Sequence, residues 1–305
     1  MSLTIASVNV NGIRAATKVR SEVNPGMLAW LIDTLADVVL MQEVRATEAE
    51  ARAALAPALE QGWHLAVAPA EAPGAKGRAG VGILSRTPLS NIAVGIAGFE
   101  DAGRFISASL DDGTVVASLY LPSGSAGTAK QDEKYRFLDA FEPLLAKWAD
   151  EHPDMVIGGD WNICHRREDL KNWKTNQKKS GFLPHERAFM DAVFGCFPDE
   201  EAQDIDAKSV AGWAGAVDYA SRNPARVACD DPQWFDVARR LNPTDAGYTW
   251  WTFRGQAFNN NAGWRIDVQA ATANMLERAE RAWVDKVPTV EERWSDHAPL
   301  LVEYR

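Results

Sequence analysis

The sequence predicts an α/β protein built as a four-layered sandwich, with two mixed β-sheets packed face to face and helices on the outside. Three observations support this prediction. Apolar runs of strand length alternate with amphipathic segments of helix length, strands and helices occur in both halves of the chain, and the segments between them are short. No linker or short repeat interrupts the 305 residues. We therefore expect a single domain over 1–305, with similar halves at about 1–150 and 151–305.

The first half of the chain begins with a strand at 3–10, whose nearly continuous apolar run is typical of a strand buried on both faces. Asn24 and Pro25 then predict a helix from 24 to about 36, with Asn24 as its cap and Pro25 in its first position. The turn at 111–113 predicts a hairpin between strands at 104–110 and 115–119. The other predicted elements of this half are strands at 37–42, 63–68 and 80–85 and helices at 47–60 and 131–150.

The second half repeats this alternation. A buried strand at 155–159 runs directly into Asp160, and Pro184–Phe194 has the pattern of a helix. The remaining predicted strands are 248–253, 266–271, 280–285 and Leu300–Tyr304. The segment at about 199–233 has no clear period and is rich in Asp, Ala and Gly, which predicts a surface insertion of loop and short helix.

Composition excludes some classes of protein. The sequence contains no run of 18 apolar residues, so we expect no membrane-spanning helix. The first ten residues lack a basic stretch and mix polar with apolar residues, which predicts a strand and not a signal peptide. Three cysteines at irregular spacing, Cys164, Cys196 and Cys229, form neither a disulfide framework nor a zinc motif, and we expect three free thiols in a cytoplasmic protein.

The formal net charge of -10 does not by itself exclude a polyanionic partner, because charges act over roughly 8 Å at physiological salt. A basic stretch at 165–180 has six cations and only two acids, and it follows an acidic motif. Its cations are Arg166, Arg167, Lys171, Lys174, Lys178 and Lys179. The stretch is either a solvated face or a surface that binds nucleic acid.

Polar residues whose side chains could take part in catalysis or binding lie where predicted strands end. Open α/β sheets form their binding crevice at this position. Taken singly, each would be a turn former, a helix cap or a packing residue. Acid, amide, phenol and imidazole at the ends of different buried segments together indicate a site. The clusters are 9–12, 42–43, 120–124, 159–162 and 295–297, with a sixth at 265–267.

These clusters resemble the exonuclease–endonuclease–phosphatase superfamily and, within it, the exodeoxyribonuclease III family of abasic-site endonucleases. The resemblance covers nearly the whole chain. Gln-Glu, Gly-Asp-x-Asn and Ser-Asp-His are the superfamily elements, while Phe-Leu-Pro-x-Glu-Arg and Arg-Ile-Asp are typical of the narrower family. The resemblance implies a DNase I-like version of the predicted sandwich, acting as one catalytic domain.

The resemblance also implies roles for particular side chains. Glu43 and Asp296 would be ligands of Mg²⁺, with Asn11 nearby and Mn²⁺ as an alternative ion; carboxylates of this kind suit Mg²⁺. The predicted catalytic residues are six: Asp160 on the attacking water, Asn162 holding Asp160 or the phosphate, His297 on a phosphate oxygen, Asp267 on His297, Tyr120 on the phosphate or the leaving oxygen, and Asn9 as support.

Substrate contacts follow from the same resemblance. Trp250 and Trp264 match residues that line a pocket for a flipped-out abasic sugar, although core packing is the usual role of a tryptophan. Arg104 would contact a phosphate, and Lys174, Lys178 and Lys179 would contact the DNA backbone.

The function implied is that of a DNA-repair nuclease that cleaves duplex DNA 5′ of abasic sites and acts as a 3′→5′ exonuclease and 3′-phosphodiesterase. Its partner would be duplex DNA with abasic or 3′-blocked sites, and the protein would be a monomer, associated with the nucleoid in a prokaryotic cell. One alternative is a phosphoesterase of the same superfamily acting on inositol phosphates or another non-DNA phosphodiester, and another is a non-enzymatic binding protein on the same scaffold. Asn11 and Ser123 depart from the usual family residues, which concerns substrate preference.

Overall fold

The computed structural model describes residues 2–72, 77–199, 212–220 and 226–305. Within them the strands form two six-stranded mixed sheets. The first sheet has the order Ala279–Val284 (β11), Leu300–Tyr304 (β12), Leu3–Asn9 (β1), Val38–Gln42 (β2), Val81–Ser85 (β4) and His64–Ala68 (β3). The second has the order Ser90–Val94 (β5), Phe105–Ser109 (β6), Val115–Tyr120 (β7), Met155–Asp160 (β8), Asp267–Ala271 (β10) and Phe235–Asp236 (β9).

Helices connect the strands along both halves of the chain. They are Ile13–Ala16 (α1), Met27–Asp33 (α2), Glu48–Ala54 (α3), Ala56–Glu60 (α4), Ala129–Glu151 (α5), Trp173–Asn176 (α6), Pro184–Phe194 (α7), Val237–Leu241 (α8) and Ala273–Arg278 (α9). A capping box between Thr47 and Glu50 begins α3. The predicted helix at 47–60 is thus two helices joined at Leu55.

Three buried apolar clusters account for the layers. One lies between the sheets and joins Ile5 and Val38 of the first sheet to Val116 and Val156 of the second. The outer face of the second sheet packs against α5 and α7, and the outer face of the first sheet packs against α2, α3 and α4. The predicted architecture, two mixed sheets packed face to face with helices outside, is confirmed.

The prediction of a strand at 248–253 is wrong. Of its residues only Trp250 makes ladder contacts, as isolated bridges to Trp264 and His297. The apolar run there reflects aromatic side chains packed between loops: Trp251 stacks edge-on against Phe258 at 5.4 Å. Burial of large rings produced a strand-like pattern without a strand.

The predicted start of the helix at 24–36 is also wrong, because the corresponding helix, α2, begins at Met27 with Gly26 before it. Asn24 is buried, but its amide donates to the carbonyls of Glu291 and Arg293, at 3.0 and 2.8 Å, and does not cap the helix. A side chain that could accept from the N–H groups at a helix start instead donates to the backbone carbonyls of a distant loop.

The predicted insertion at about 199–233 is described only in part, and 200–211 and 221–225 lie outside the described residues. In the described part, Trp213 and Tyr219 pack against the apolar cluster of the second sheet. Arg226 is buried and forms ion pairs with Asp139 and Glu142 of α5, at 2.7 and 2.6 Å. These residues therefore cover α5 and belong to the packed molecule. No helix among the described residues has the length and apolarity that crossing a membrane requires.

Candidate active site

Strand ends from both sheets lie at one edge of the sandwich. In the first sheet, β1 and β2 are parallel, and Asn9 pairs with Gln42 at their ends. In the second sheet, Tyr120 of β7 pairs in parallel with Asp160 of β8, and Asp267 of β10 pairs with Asp160 in an antiparallel ladder. The register thus places the predicted site residues at the same level of each sheet.

The two sheets approach closely just before this edge. A Cβ on Gly158 of β8 would lie 2.6 Å from Leu40 Cδ1 and 3.1 Å from Ser7 Cβ, so a side chain here would displace Leu40 and press on Ser7 of the opposite sheet. Gln42 donates to Ser118 Oγ of the opposite sheet at 3.0 Å. This close contact aligns the ends of β1 and β2 with those of β7 and β8.

Asn9 connects the acids of the two sheets. Its buried amide donates to Glu43 Oε1 and to Asp160 Oδ2, both at 2.9 Å. Tyr120 donates to the same Glu43 oxygen at 2.8 Å. The carboxylates of Glu43 and Asp160 are therefore held on either side of one amide, as the predicted supporting role of Asn9 requires.

His297 and Asp267 form a buried pair beside Asp160. His297 Nδ1 lies 2.8 Å from Asp267 Oδ2, and its Nε2 lies 3.8 Å from Asp160 Oδ2. Burial alone would lower the pKa of His297, but Asp267 outweighs it, together with Asp160 and Asp296, and the pKa rises to about 10. The imidazole is thus charged at neutral pH, with Nε2 on the side of Asp160.

Asp160 has the properties of a proton acceptor at neutral pH. Burial raises its pKa to about 7; the charged His297 opposes this rise, and the negative charge of Asp267 adds to it. Its Oδ1 accepts the backbone N–H of Asn162 at 3.0 Å, which fixes the orientation of the carboxylate. A carboxylate with a pKa near 7 can take a proton from water at physiological pH.

Tyr120 remains a hydrogen-bond donor. Burial and the negative charges of Glu43 and Asp160 raise the pKa of this phenol well above its ordinary value. Arg104 lies over the Tyr120 ring, with its guanidinium carbon 4.7 Å from the ring centroid. Its Nη2 lies 3.9 Å from Glu133 Oε1. Arg104 therefore lines the edge of the site, next to a predicted catalytic residue.

Asn11 connects Asp296 to the network around Asn9. Asn11 donates to Asp296 Oδ1 at 2.9 Å, and its backbone N–H donates to Asn9 Oδ1 at 2.9 Å. Asp296 and Glu43 thus belong to one hydrogen-bonded network through Asn9 and Asn11. Two carboxylates and an amide oxygen are ligand types that suit a hard divalent cation such as Mg²⁺, and each hydrogen-bonded oxygen keeps a further lone pair.

A second arrangement of ligand atoms is buried in the site. The ligand atoms of Asp160, Asp267 and His297 lie within 4.8 Å of one another and could hold a metal ion. His297 Nδ1, however, already bonds to Asp267 at 2.8 Å. An imidazole nitrogen also suits transition metals better than Mg²⁺.

Backbone strain is concentrated at the site. Four non-glycine residues near the acids have left-handed backbone, with φ of 49° at Asn11, 50° at Glu43, 51° at Arg45 and 52° at Asn162. This conformation is costly for residues with a Cβ and persists where surrounding contacts enforce it. Such strain is typical of functional sites and bends each chain sharply just after its strand.

Arg45 was missed by the sequence analysis. Its guanidinium forms an ion pair with the predicted metal ligand Glu43, and its side chain is 39% exposed. A cation two residues after Glu43 was visible in the sequence. Glu43 and Arg45 follow β2, so the rule that residues two apart on a strand share a face does not apply to them. Their contact depends on left-handed backbone at both residues, which could not be inferred from the sequence.

The predicted role of the Asn162 side chain in holding Asp160 is not what the structure shows. The Asn162 amide donates to the Leu121 carbonyl at 2.9 Å, and it is the backbone N–H of Asn162 that reaches Asp160. An extended backbone would have placed the two side chains on one side, but the left-handed turn at Asn162 separates them. The side chain instead joins the segments that follow β7 and β8.

The two tryptophans predicted to line a sugar pocket lie next to the acids. Trp250 and Trp264 are partly buried, with ring centroids 6.0 Å apart in an edge-to-face arrangement. Trp250 Nε1 donates to Asp296 Oδ2 at 3.0 Å. Trp264 packs directly against Gly181, where a Cβ would come within 2.9 Å of the ring. Trp250 therefore also orients a predicted metal ligand.

The basic stretch divides into exposed and buried cations. Lys174, Lys178 and Lys179 are exposed, as a backbone-binding surface requires. Arg166 is fully buried and faces Asp191 and Asp199, at 3.8 and 3.5 Å, so its inclusion in such a surface was wrong. Trp173, at the start of α6, packs against the same apolar cluster as Trp250 and Trp264, which connects this stretch to the site.

Comparison with known proteins gives a consistent result. The model of the Endonuclease/Exonuclease/phosphatase family matches residues 6–297. An exodeoxyribonuclease of Bacillus subtilis is 25% identical over 302 residues, which cover 98% of each chain. The DNA repair nuclease APEX1 of Danio rerio is 28% identical over 278 residues, 90% of this chain and 74% of that protein. A 3′ phosphatase from Neisseria, NExo, solved with a product DNA hairpin, has the same fold, with a TM-score of 0.76, 24% identity and 99% of each chain covered.

Proposed function

Because the chain belongs to the Endonuclease/Exonuclease/phosphatase family, we propose that it is a DNA-repair nuclease that hydrolyses phosphodiester bonds in duplex DNA. One observation carries the proposal: Asp160, with its pKa near 7, lies between the amide of Asn9 and the charged His297–Asp267 pair. A base and a cationic donor on one small surface are what hydrolysis of a phosphodiester by water requires. The names of the relatives in Bacillus subtilis and Danio rerio support DNA as the substrate.

We propose duplex DNA with abasic or 3′-blocked sites as the substrate. Cleavage 5′ of an abasic site needs a pocket for a sugar without its base, and Trp250 and Trp264 supply apolar surface beside the acids. The exposed lysines of the basic stretch would bind the backbone, since phosphate contacts position a duplex. Residues 1–305 would act as one catalytic domain and as a monomer, because acids from both sheets form the one site.

Mg²⁺ is the metal we propose, held by Glu43 and Asp296 with Asn11. These oxygen ligands suit Mg²⁺ better than the group that contains His297. When bound, the ion would neutralise charge on the phosphoryl oxygens. Arg45 and Trp250 would orient the two carboxylates through their contacts with Glu43 and Asp296.

The chain's own residues account for the proton transfers. Asp160 would accept a proton from the attacking water, while Asn9 and the Asn162 backbone hold its two oxygens in place. The His297 imidazolium would donate to a phosphate oxygen as negative charge develops there. Tyr120, which remains protonated, would donate to the phosphate or to the leaving oxygen.

A substrate panel tests the proposal. End-labelled duplexes with one abasic analogue, intact duplexes and duplexes with a 3′-phosphate are each incubated with Mg²⁺ and with a chelator, and inositol polyphosphates are assayed in parallel. The proposal predicts Mg²⁺-dependent incision 5′ of the abasic analogue and removal of the 3′ group. Turnover of inositol polyphosphates without cleavage of any DNA would overturn it in favour of the other superfamily activity.

A further inference from the structure

A buried ion pair beneath the site has no part in the chemistry described so far. Lys134 of α5 and Glu186 of α7 are fully buried, with Lys134 Nζ 2.7 Å from Glu186 Oε1. Removing two charges from water is expensive, and a well-packed apolar pair of similar volume is often at least as stable. Stability alone is therefore a weak explanation for this pair.

The contacts of Lys134 point towards the active site. Beyond Glu186, Lys134 Nζ donates to the carbonyl of Asn162 at 2.9 Å and lies 3.4 Å from that of Ser123. Asn162 has the left-handed backbone that turns its N–H onto Asp160, and Ser123 is three residues after Tyr120. One ammonium group thus holds the segments that follow β7 and β8.

Glu186 holds the opposite side of the same junction. Its Oε2 accepts the backbone N–H groups of Gly181 and Leu183 at 2.7 and 2.9 Å, and its Oε1 accepts Gln131 at 3.0 Å. Ser180 lies 3.1 Å from Glu186 Oε1 and donates to the Ser123 carbonyl at 2.6 Å. Gly181, in turn, is the residue against which Trp264 packs.

We propose that Lys134 and Glu186 are positioning residues that set the backbone geometry of the site at 121–124 and 160–162. The proposal rests on the proposed function, since the geometry set is that of Asp160 and Tyr120. A shift of about 1 Å in a catalytic group is enough to slow a reaction about 100-fold. The pair is buried and makes no contact with the three exposed lysines of the basic stretch. It would thus be required for turnover more than for substrate binding.

The test uses a variant without an uncompensated charge. Lys134→Met with Glu186→Gln removes both charges, keeps similar volumes and leaves an amide oxygen for the N–H groups of Gly181 and Leu183. The donors to the Asn162 and Ser123 carbonyls are removed, and the Glu186 oxygen that accepts from Gln131 and Ser180 becomes an amide N–H₂ group. We expect a folded protein whose kcat on an abasic duplex falls at least tenfold while KM changes less than threefold, a difference of about 1.4 kcal/mol in the barrier.

Hydrogen exchange separates this proposal from the proposed function. Backbone amides at 121–124, other than Pro122, which has none, and at 160–162 should exchange faster in the double variant, whether or not the protein cleaves DNA. Arg226→Met is the matched control, because it removes the two ion pairs of a buried guanidinium with partly exposed acids of the same helix and contacts neither segment. It should leave exchange at the site and kcat unchanged.

The kcat and the hydrogen exchange of the double variant decide whether Lys134 and Glu186 position the site. Wild-type kcat and wild-type exchange in the folded double variant would overturn the proposal. If that variant does not fold, Ser180→Ala decides, because it removes only the contact of a partly exposed hydroxyl with Ser123 and Glu186. We then expect faster exchange at 121–124 with lower kcat, and no change in either would reject the proposal. A wild-type protein without activity on DNA would contradict the proposed function and leave the exchange result to decide the positioning role.

Discussion

At the scale of single residues, the sequence predicted which side chains meet better than how they meet. Asn9, Glu43 and Asp160 were predicted from their positions at strand ends, and the structure joins them through one amide. Arg45 was missed, and of the two predicted partners of the Asn162 side chain, Asp160 and the phosphate, Asp160 was wrong. Both errors have one cause, because left-handed backbone at Glu43, Arg45 and Asn162 turns these side chains out of the extended geometry that the predictions assumed. Asparagine tolerates this conformation, but Glu and Arg give no local signal of it.

The charge on His297 predicts a pH dependence. The pKa of His297 is raised to about 10, so the imidazolium that we propose as donor is present below that pH and disappears as pH rises through it. Asp267→Asn removes the nearest negative charge and should move the alkaline limb of kcat to lower pH. His297→Asn should fold and cleave about 100-fold or more slowly.

The measurement is kcat against pH for the three proteins, on a duplex with an alkali-stable abasic analogue. An alkaline limb of Asp267→Asn that coincides with that of the wild type would show that Asp267 does not sustain the imidazolium.

Metal binding makes a second prediction at this scale. Glu43→Ala should abolish cleavage while the fold persists, because the variant lacks one of two proposed carboxylate ligands. A ligand at 100 times its Kd stabilises a folded protein by about 2.7 kcal/mol, so Mg²⁺ should raise the Tm of the wild type more than that of the variant. Glu48→Ala, which removes an exposed partner of Arg52, is the control and should respond to Mg²⁺ like the wild type. Equal Tm shifts in all three proteins would contradict the assignment.

At the scale of elements, the sequence predicted buried strands well and exposed or very short ones poorly. The strands β1, β2, β7 and β8 are almost completely buried and have long apolar runs. The missed strand β5 is exposed at every residue, and the missed strand β9 has only two residues. Neither produces an alternation of buried and exposed positions, which is the signal that sequence analysis uses.

The basic stretch predicts a change in the salt dependence of DNA binding. Replacing Lys174, Lys178 and Lys179 with Gln should flatten the plot of log K against log salt by about 0.9 for each phosphate that the protein no longer neutralises. kcat at saturating DNA should change little. Lys147→Gln, on the C-terminal half of α5, is the control and should keep the wild-type slope. An unchanged slope in the triple variant would leave the stretch as a solvated face.

The start of α3 gives a prediction about stability alone. Thr47 accepts the backbone N–H of Glu50, and the Glu50 side chain accepts that of Thr47. Thr47→Ala should lower the free energy of unfolding by about 1 kcal/mol, measured by denaturant titration, because one helix N–H loses its partner. Cleavage activity should not change. A loss of activity without a loss of stability would mean that α3 acts on the site.

At the scale of the whole molecule, two sheets are required because neither contains the complete site. Asn9 ends β1 and Glu43 follows β2 of the first sheet, whereas Tyr120, Asp160 and Asp267 belong to the second. The net charge of -10 is compatible with DNA binding in this arrangement, since Lys174, Lys178 and Lys179 form a local cluster of exposed positive charge. The sequence could predict the layers from strand and helix alternation, but the sheet order needed the structure.

We propose that Asp160 and its partners hydrolyse a phosphodiester bond at an abasic site. The most direct measurement is the single-turnover rate with Mg²⁺ on a duplex containing one abasic analogue, for the wild type and for Asp160→Asn purified in the same way. We expect a single incision 5′ of the analogue by the wild type, and a rate at least about 100-fold lower for the variant with little loss of DNA binding. Equal rates for the two proteins, or undiminished incision in excess chelator, would contradict it.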